Sequence, residues 1–222
     1  MDANKLVELL TVGFLETLYM VIGSTLIAYV LGLPLGVILA ITDKDGIKPM
    51  ATVNLVLGTM INIIRSVPFI ILLIAILPFT KALIGTTIGS TATIVPLVWA
   101  AAPFVARMVE SSIKEVDKGV IEAAHSMGAS PFKIIIKVLI PEAKPSLLIG
   151  STITITTILG YSAMAGFVGG GGLGAIAINY GYHRYETGIM LITVLILVVI
   201  VQVFQAVGML IMRKTDKRLN NS

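Results

Sequence analysis

The chain has 222 residues, of which 56% are apolar and only 13% charged, and its mean hydropathy is +0.99. So little polar surface cannot coat a water-soluble globule of 23.5 kDa, which excludes a soluble fold and defines an integral membrane protein. The net charge of +4 points to basic loops, not to nucleic acid, and with no cysteine the chain offers no disulfide or thiol chemistry.

A membrane span needs about 20 mainly apolar residues to cross about 30 Å of hydrocarbon. Four charge-free runs reach that length, 17–42, 82–106, 145–182 and 187–212, and a fifth, 49–80, carries one charge, Arg65. Near the start, Asp2 and Glu8 flank a single Lys5, and no small-residue cleavage site follows a short apolar core, so the first span is expected to be retained. The expected architecture is all-α, a polytopic membrane protein with five transmembrane helices.

In chain order, the first helix (about 15–41) carries Pro34 between Gly32 and Gly36, a weak point where a membrane helix can bend. The second (about 50–79) contains "RSVPF", with Arg65 three residues before Pro68. A central Arg costs about 2.5–3.5 kcal/mol on insertion scales unless it meets protein or water, so Arg65 is expected either as a buried tie at a kink or lining a polar cavity. The third (about 88–110) holds "WAAAPFVA", whose small residues permit close helix packing.

A polar interruption follows. Asp117 is a helix start, Gly128 a stop, and Ser130-Pro131 a second start whose helix Pro141 is expected to end. The expected product is two short helices angled at a glycine, with Ala123 and Ala124 forming a low surface that another backbone could approach. Such an elbow suits either a groove on a partner or an interfacial position on the bilayer. The fourth span is expected from Pro145 and the fifth over about 187–212.

Short loops rich in Lys and Arg stay cytoplasmic. With a cytoplasmic C-terminus, twelve of the sixteen basic residues fall on the inner side, in the groups 44–48, 107–144 and 213–218. Only Lys5, Lys81 and Arg184 fall outside, which places the elbow in the cytoplasm.

Glu122-Ala123-Ala124, Gly128, Val138, Ile140 and Pro141 resemble the EAA signature of ABC importer permeases: EAA, three residues, G, nine residues, I, one residue, L, P. Val138 for Ile and Ile140 for Leu are conservative departures, and the spacing is intact. The resemblance implies that 117–141 is a coupling loop docking into an ATPase subunit, within a permease domain over 14–212 followed by a tail at 213–222. Glu122 would anchor the contact, Ala123 and Ala124 allow close approach, and Gly128 set the bend. A second stretch, "YSAMAGFVGGGGLGAIAINYGYHRYE" at 161–186, is similar to the hallmark run of methionine permeases, small five-helix type I importers. Here Tyr161 stands where an acidic residue is common, and Ala175 where Asp often follows the glycines.

That family resemblance implies a bacterial cytoplasmic-membrane location, a second copy of the chain, two ATPase subunits and an extracytoplasmic substrate-binding protein. ATP and Mg would be bound by the ATPase, with no cofactor, metal or catalytic residue in this chain. Permeases for other amino acids or phosphonates share the EAA loop, and a non-transport membrane scaffold would not need its spacing.

Gly169, Gly171 and Gly174 formally satisfy G-x-G-x-x-G, but a membrane helix precedes them and no βαβ unit follows, so a dinucleotide site is excluded. No Lys-Ser or Lys-Thr follows Gly174, which excludes a P-loop. Gly169, Gly170, Gly171, Gly172 and Gly174 are instead expected as a flexible, closely packing loop on the binding-protein side. Two His residues and no Cys are too few for a transition-metal site. Along the fourth helix, Tyr161 and Met164 share one face and Ser162 and Ala165 an adjacent one. Tyr161, Ser162, Met164 and Arg65 are therefore candidates for the substrate pathway or its gate, with Met164 as a soft, adaptable plug or as simple interface packing.

Overall fold

The computed structural model describes residues 2–215; residues 216–222, most of the expected tail, lie outside the described residues. Every regular element among the described residues is helical. The major helices are α1 (Ala3–Thr42), α2 (Ala51–Ser66), α3 (Phe69–Ala75), α4 (Leu77–Ile84), α5 (Ser90–Lys114), α6 (Lys118–Ser126), α7 (Pro131–Ile134), α8 (Ile140–Ala165), α9 (Gly172–Ile176) and α10 (Thr187–Thr215). Wide π-turns at Ile135–Leu139 and Ala177–Tyr182 follow α7 and α9, and a 3-10 turn at Gly166–Val168 follows α8.

Four helical segments are long and apolar enough to cross a membrane: Asn4–Thr42, Ser90–Lys114, Pro131–Val168 and Thr187–Thr215. The count reaches five when α2 and α3, broken at Val67-Pro68, form one bent span. Three helix limits differ from the sequence reading. The first helix begins at Ala3, because a helix does not end where its apolar stretch does. The third runs on to Lys114, so Lys114 is a helical charge and not a loop charge. The fourth span begins at Pro131: Pro141 does not end the helix and Pro145 lies inside α8. The physical reason is the π-turn, in which Ile140 N–H donates five residues back to Ile135 C=O, immediately before the one residue that has no N–H to donate.

Two compact units make up the fold. One comprises Met1–Ala28, Val67–Ala101 and Thr154–Gln205, and buries Met20, Leu73, Leu97, Ile158 and Leu173 to 1% exposure or less. The other comprises, among the described residues, Tyr29–Ser66, Ala102–Ile153 and 206–215. Its core joins Leu39, Ile61 and Ala106, with Leu35 and Leu57 packed against them. In this second unit Gly32 and Gly36 lie against α5: a Cβ on Gly32 would come 2.7 Å from Ala102 C=O, and one on Gly36 would strike Ala106 C=O and Val109. The glycines flanking Pro34 thus permit close helix approach, and α1 continues uninterrupted through the proline.

Candidate functional site

The interruption at 117–141 is built by short-range chemistry. Asp117 caps α6 by accepting from Gly119 N–H at 2.7 Å, and Ser130 caps α7 by accepting from Lys133 N–H at 3.4 Å. Between them Gly128 takes φ +75°, Ala129 N–H donates to Ala124 C=O at 3.1 Å and Gly128 N–H to His125 C=O at 2.9 Å. This is the paired closure of a helix end by a left-handed glycine. No atom lies within 4 Å of a Cβ built on Gly128, so its requirement is conformational, not steric.

Glu122, Ala123, Gly128 and Pro141 are exposed, while Ala124 is 4% exposed and faces its own chain. The low two-alanine surface expected from the sequence is thus one alanine wide. Successive helical residues point about 100° apart, and the α6 face that carries Ala124 also carries the half-buried Ile121 three residues earlier. Around the bend Met127 (81%) and Phe132 (69%) stand open to their surroundings. The elbow therefore presents an acid and large apolar side chains together.

Beside it lies a cleft of about 730 Å³, lined by Asp43, Lys114, Lys118, Glu122, His125 and others. A run of ion pairs leads away from that cleft. Lys114 Nζ contacts Asp43 Oδ2 at 2.6 Å and Glu110 Oε1 at 2.8 Å, and Glu110 Oε2 accepts from Arg107 Nη1 at 2.6 Å. Arg107 Nη2 donates to Gly58 C=O at 2.9 Å and Asn62 Oδ1 at 3.0 Å, both on α2. Glu110 is 7% exposed. The Lys114 ammonium and the Lys44 N–H hold the Asp43 carboxyl below the usual aspartate range. The sequence reading did not single out Glu110; the available signal was the spacing of Arg107, Glu110 and Lys114, three and four residues apart on one helix face.

The glycine run forms a bonded corner of the first unit. Gly172 N–H donates to Glu16 Oε2 at 2.6 Å and Leu173 N–H to Thr17 Oγ1 at 2.9 Å. Thr93 Oγ1 donates to Gly170 C=O at 3.1 Å, and Gly89 N–H to Gly169 C=O at 2.9 Å. Gly169, Gly171 and Gly172 have positive φ, while a Cβ on Gly174 would lie 2.5 Å from the Ala163 backbone. Gly170, Gly172 and Gly174 are buried. Close packing is what this geometry requires of the glycines, in line with the closely packing loop expected there.

The four pathway candidates separate. Met164 is 47% exposed, and the half-buried Tyr161 stacks on Phe69 with ring centroids 4.3 Å apart. Ser162 is 2% exposed and spends its hydroxyl on Leu159 C=O at 2.8 Å, so it does not face a pathway in the chain. A small hydroxyl in a helix satisfies itself on the preceding turn. Arg65 is exposed within this chain, with its guanidinium 6.0 Å above the Phe104 ring.

A multi-pass helical membrane protein interrupted by an exposed two-helix elbow defines a class, that of transport permeases. The chain belongs to the family of binding-protein-dependent transport system inner membrane components, whose model matches residues 32–221. It is 52% identical over 211 residues to a probable D-methionine transport system permease protein of Vibrio cholerae, covering 95% of this chain and 94% of that one. It is 46% identical to a methionine import system permease protein of Bacillus subtilis, covering 91% of each. A solved structure of the MetNI methionine ABC transporter in an inward-facing conformation superposes with a TM-score of 0.96 at 45% identity, over 98% of this chain and 100% of that one.

Proposed function

We propose that this chain is the permease subunit of a methionine importer, passing methionine across the cytoplasmic membrane with energy supplied by a separate ATPase subunit. The observation that carries this reading is the likeness along almost the whole chain to an inward-facing methionine ABC transporter. Two copies would form the pathway, two ATPase subunits would each seat an elbow (117–141), and an extracytoplasmic binding protein would deliver substrate. ATP and Mg would sit in the ATPase.

The elbow's chemistry supports its part. Exposed Met127 and Phe132 beside Glu122 give an apolar knob with a charged edge, suited to a groove that desolvates the first and pairs the second. Closure of the ATPases would carry the elbows with them and tilt the spans, opening the pathway outward; hydrolysis and reopening would open it inward. Met164, exposed beside small neighbours, and Tyr161 stacked on Phe69 are the candidate gate.

The test is uptake of labelled methionine by proteoliposomes holding this chain, its ATPase and its binding protein, with ATP inside. Uptake that other amino acids or phosphonates fail to compete away supports the reading, and equal uptake of those solutes overturns the methionine assignment. Orientation is read separately: a cysteine replacing Lys81 should react with an impermeant thiol reagent from outside, and one replacing Lys118 should not.

A further inference from the structure

We infer that Glu110 is a positioning residue for energy coupling: through Arg107 and Lys114 it braces the end of α1, the middle of α2 and the last turn of α5 into one body beside the elbow cleft. The inference rests on the proposed coupling role of the elbow. Three features carry it. Glu110 is 7% exposed and its two oxygens take different cations, Oε2 from Arg107 and Oε1 from Lys114. Each cation then reaches a different element: Arg107 the backbone of Gly58 and the side chain of Asn62, Lys114 the carboxylate of Asp43 just past α1. Finally, Asp43 and Lys114 line the same cleft as Glu122 and His125 of α6.

A buried ion pair is poor evidence of stability alone, since desolvation offsets much of its attraction. What it specifies is geometry: Glu110 takes both of its cations from its own helix α5, and so holds Arg107 where it reaches α2 and Lys114 where it reaches Asp43. The network is also graded. Its centre, Glu110, is sheltered, Arg107 is 25% exposed, and Lys114 and Asp43 are 43% and 29% exposed where the cleft opens. A displacement of α6 meets the Asp43–Lys114 end first, where α1 and α5 are joined, and is passed to α2 through Glu110 and Arg107. Without the brace, the elbow would move while the helix ends lag behind.

The experiment measures methionine transported per ATP hydrolysed, in the full complex with ATPase and binding protein, for Glu110→Gln, Lys114→Met, Lys114→Arg and Gly128→Val. The expected result is a fall of about tenfold in that ratio for Glu110→Gln and Lys114→Met, with ATPase turnover and subunit stoichiometry retained and with Lys114→Arg close to wild type. Lys114→Met leaves the Arg107–Glu110 pair intact, so it keeps the test open if Glu110→Gln fails to assemble. A wild-type ratio in Lys114→Met, or equal losses of uptake and ATP hydrolysis in that variant, overturns the brace. If Gly128→Val uncouples while Lys114→Met does not, the brace alone fails; wild-type uptake in Gly128→Val removes the elbow reading and the brace with it.

Discussion

The two units of this chain solve one problem, holding helices together in a largely apolar sequence, in different ways. In the first, the 166–176 corner is fixed by backbone groups bonded to Glu16, Thr17 and Thr93 and by glycines with no room for a Cβ. In the second, the end of α1, the middle of α2 and the last turns of α5 are joined by Asp43, Lys114, Glu110 and Arg107. Backbone packing is short-ranged and stiff: a misfit of half an ångström has nowhere to go. Ion pairs act through long side chains that can shift while still attracting. The stiff device sits in the unit that also holds the candidate gate, and the adjustable one lies beside the elbow that a partner would move.

The largest expected effect breaks the stiff device. Gly174→Val places side-chain atoms where Ala163 Cα and C=O already lie, and backbone cannot step aside as a flexible side chain can. A loss of about 3 kcal/mol is expected, read as failure to accumulate in the membrane and a lowered unfolding temperature in detergent. At Gly128 a Cβ meets no neighbour within 4 Å, so the cost of Gly128→Val is chiefly that of a left-handed backbone, about 1–2 kcal/mol borne at the elbow. It should insert and assemble but abolish ATP-driven uptake, as should Glu122→Lys, while Gly128→Asn, which tolerates that backbone, should retain much of it. Wild-type uptake in either of the first two would detach the elbow from coupling. Met164→Trp falls between: at 47% exposure the site has room, so the complex should form and hydrolyse ATP while uptake is blocked or leaky. Lost assembly would instead make Met164 an interface residue.

The same contrast explains what could be read from the sequence. The elbow was legible because its chemistry is local: the bonds of Asp117, of Ser130 and of the Gly128-Ala129 closure each reach groups two to five residues away. The spans were legible from apolar length, though their ends were not, since the structure places α5 past Glu110 to Lys114 and continues α8 through Pro145. Pro141 misled because the wide turn that accommodates it has no sequence signature as plain as proline's own. The brace was half legible. The helical spacing of Arg107, Glu110 and Lys114 lies in the sequence, but the approach of Gly58, Asn62 and Asp43 depends on how α1, α2 and α5 pack. Glu16 was overlooked for the same reason, as its partner is Gly172, 156 residues away.

The smallest expected effect concerns the exposed end of the brace and its response to pH. Asp43 accepts from Lys114 and from Lys44 N–H, and both favour the ionised carboxylate, so its folded-state pKa is lowered. A group lowered on folding contributes stability that is fully present above its unfolded pKa and is lost as pH falls through the folded one. Between pH 8 and pH 6 the contribution is therefore constant, and it declines only in acid, below the usual aspartate range. Because Asp43 and Lys114 are partly exposed, solvent screening limits the pair to under about 1 kcal/mol. Asp43→Asn should lower the unfolding temperature slightly at neutral pH, and the difference from the unmodified chain should shrink as the buffer is made acidic. The same difference should narrow in high salt, since screening weakens exposed pairs most. An Asp43→Asn difference that persists unchanged in acid would show that the carboxylate charge is not what holds Lys114, and would leave Glu110 as the only acid securing the brace at that end.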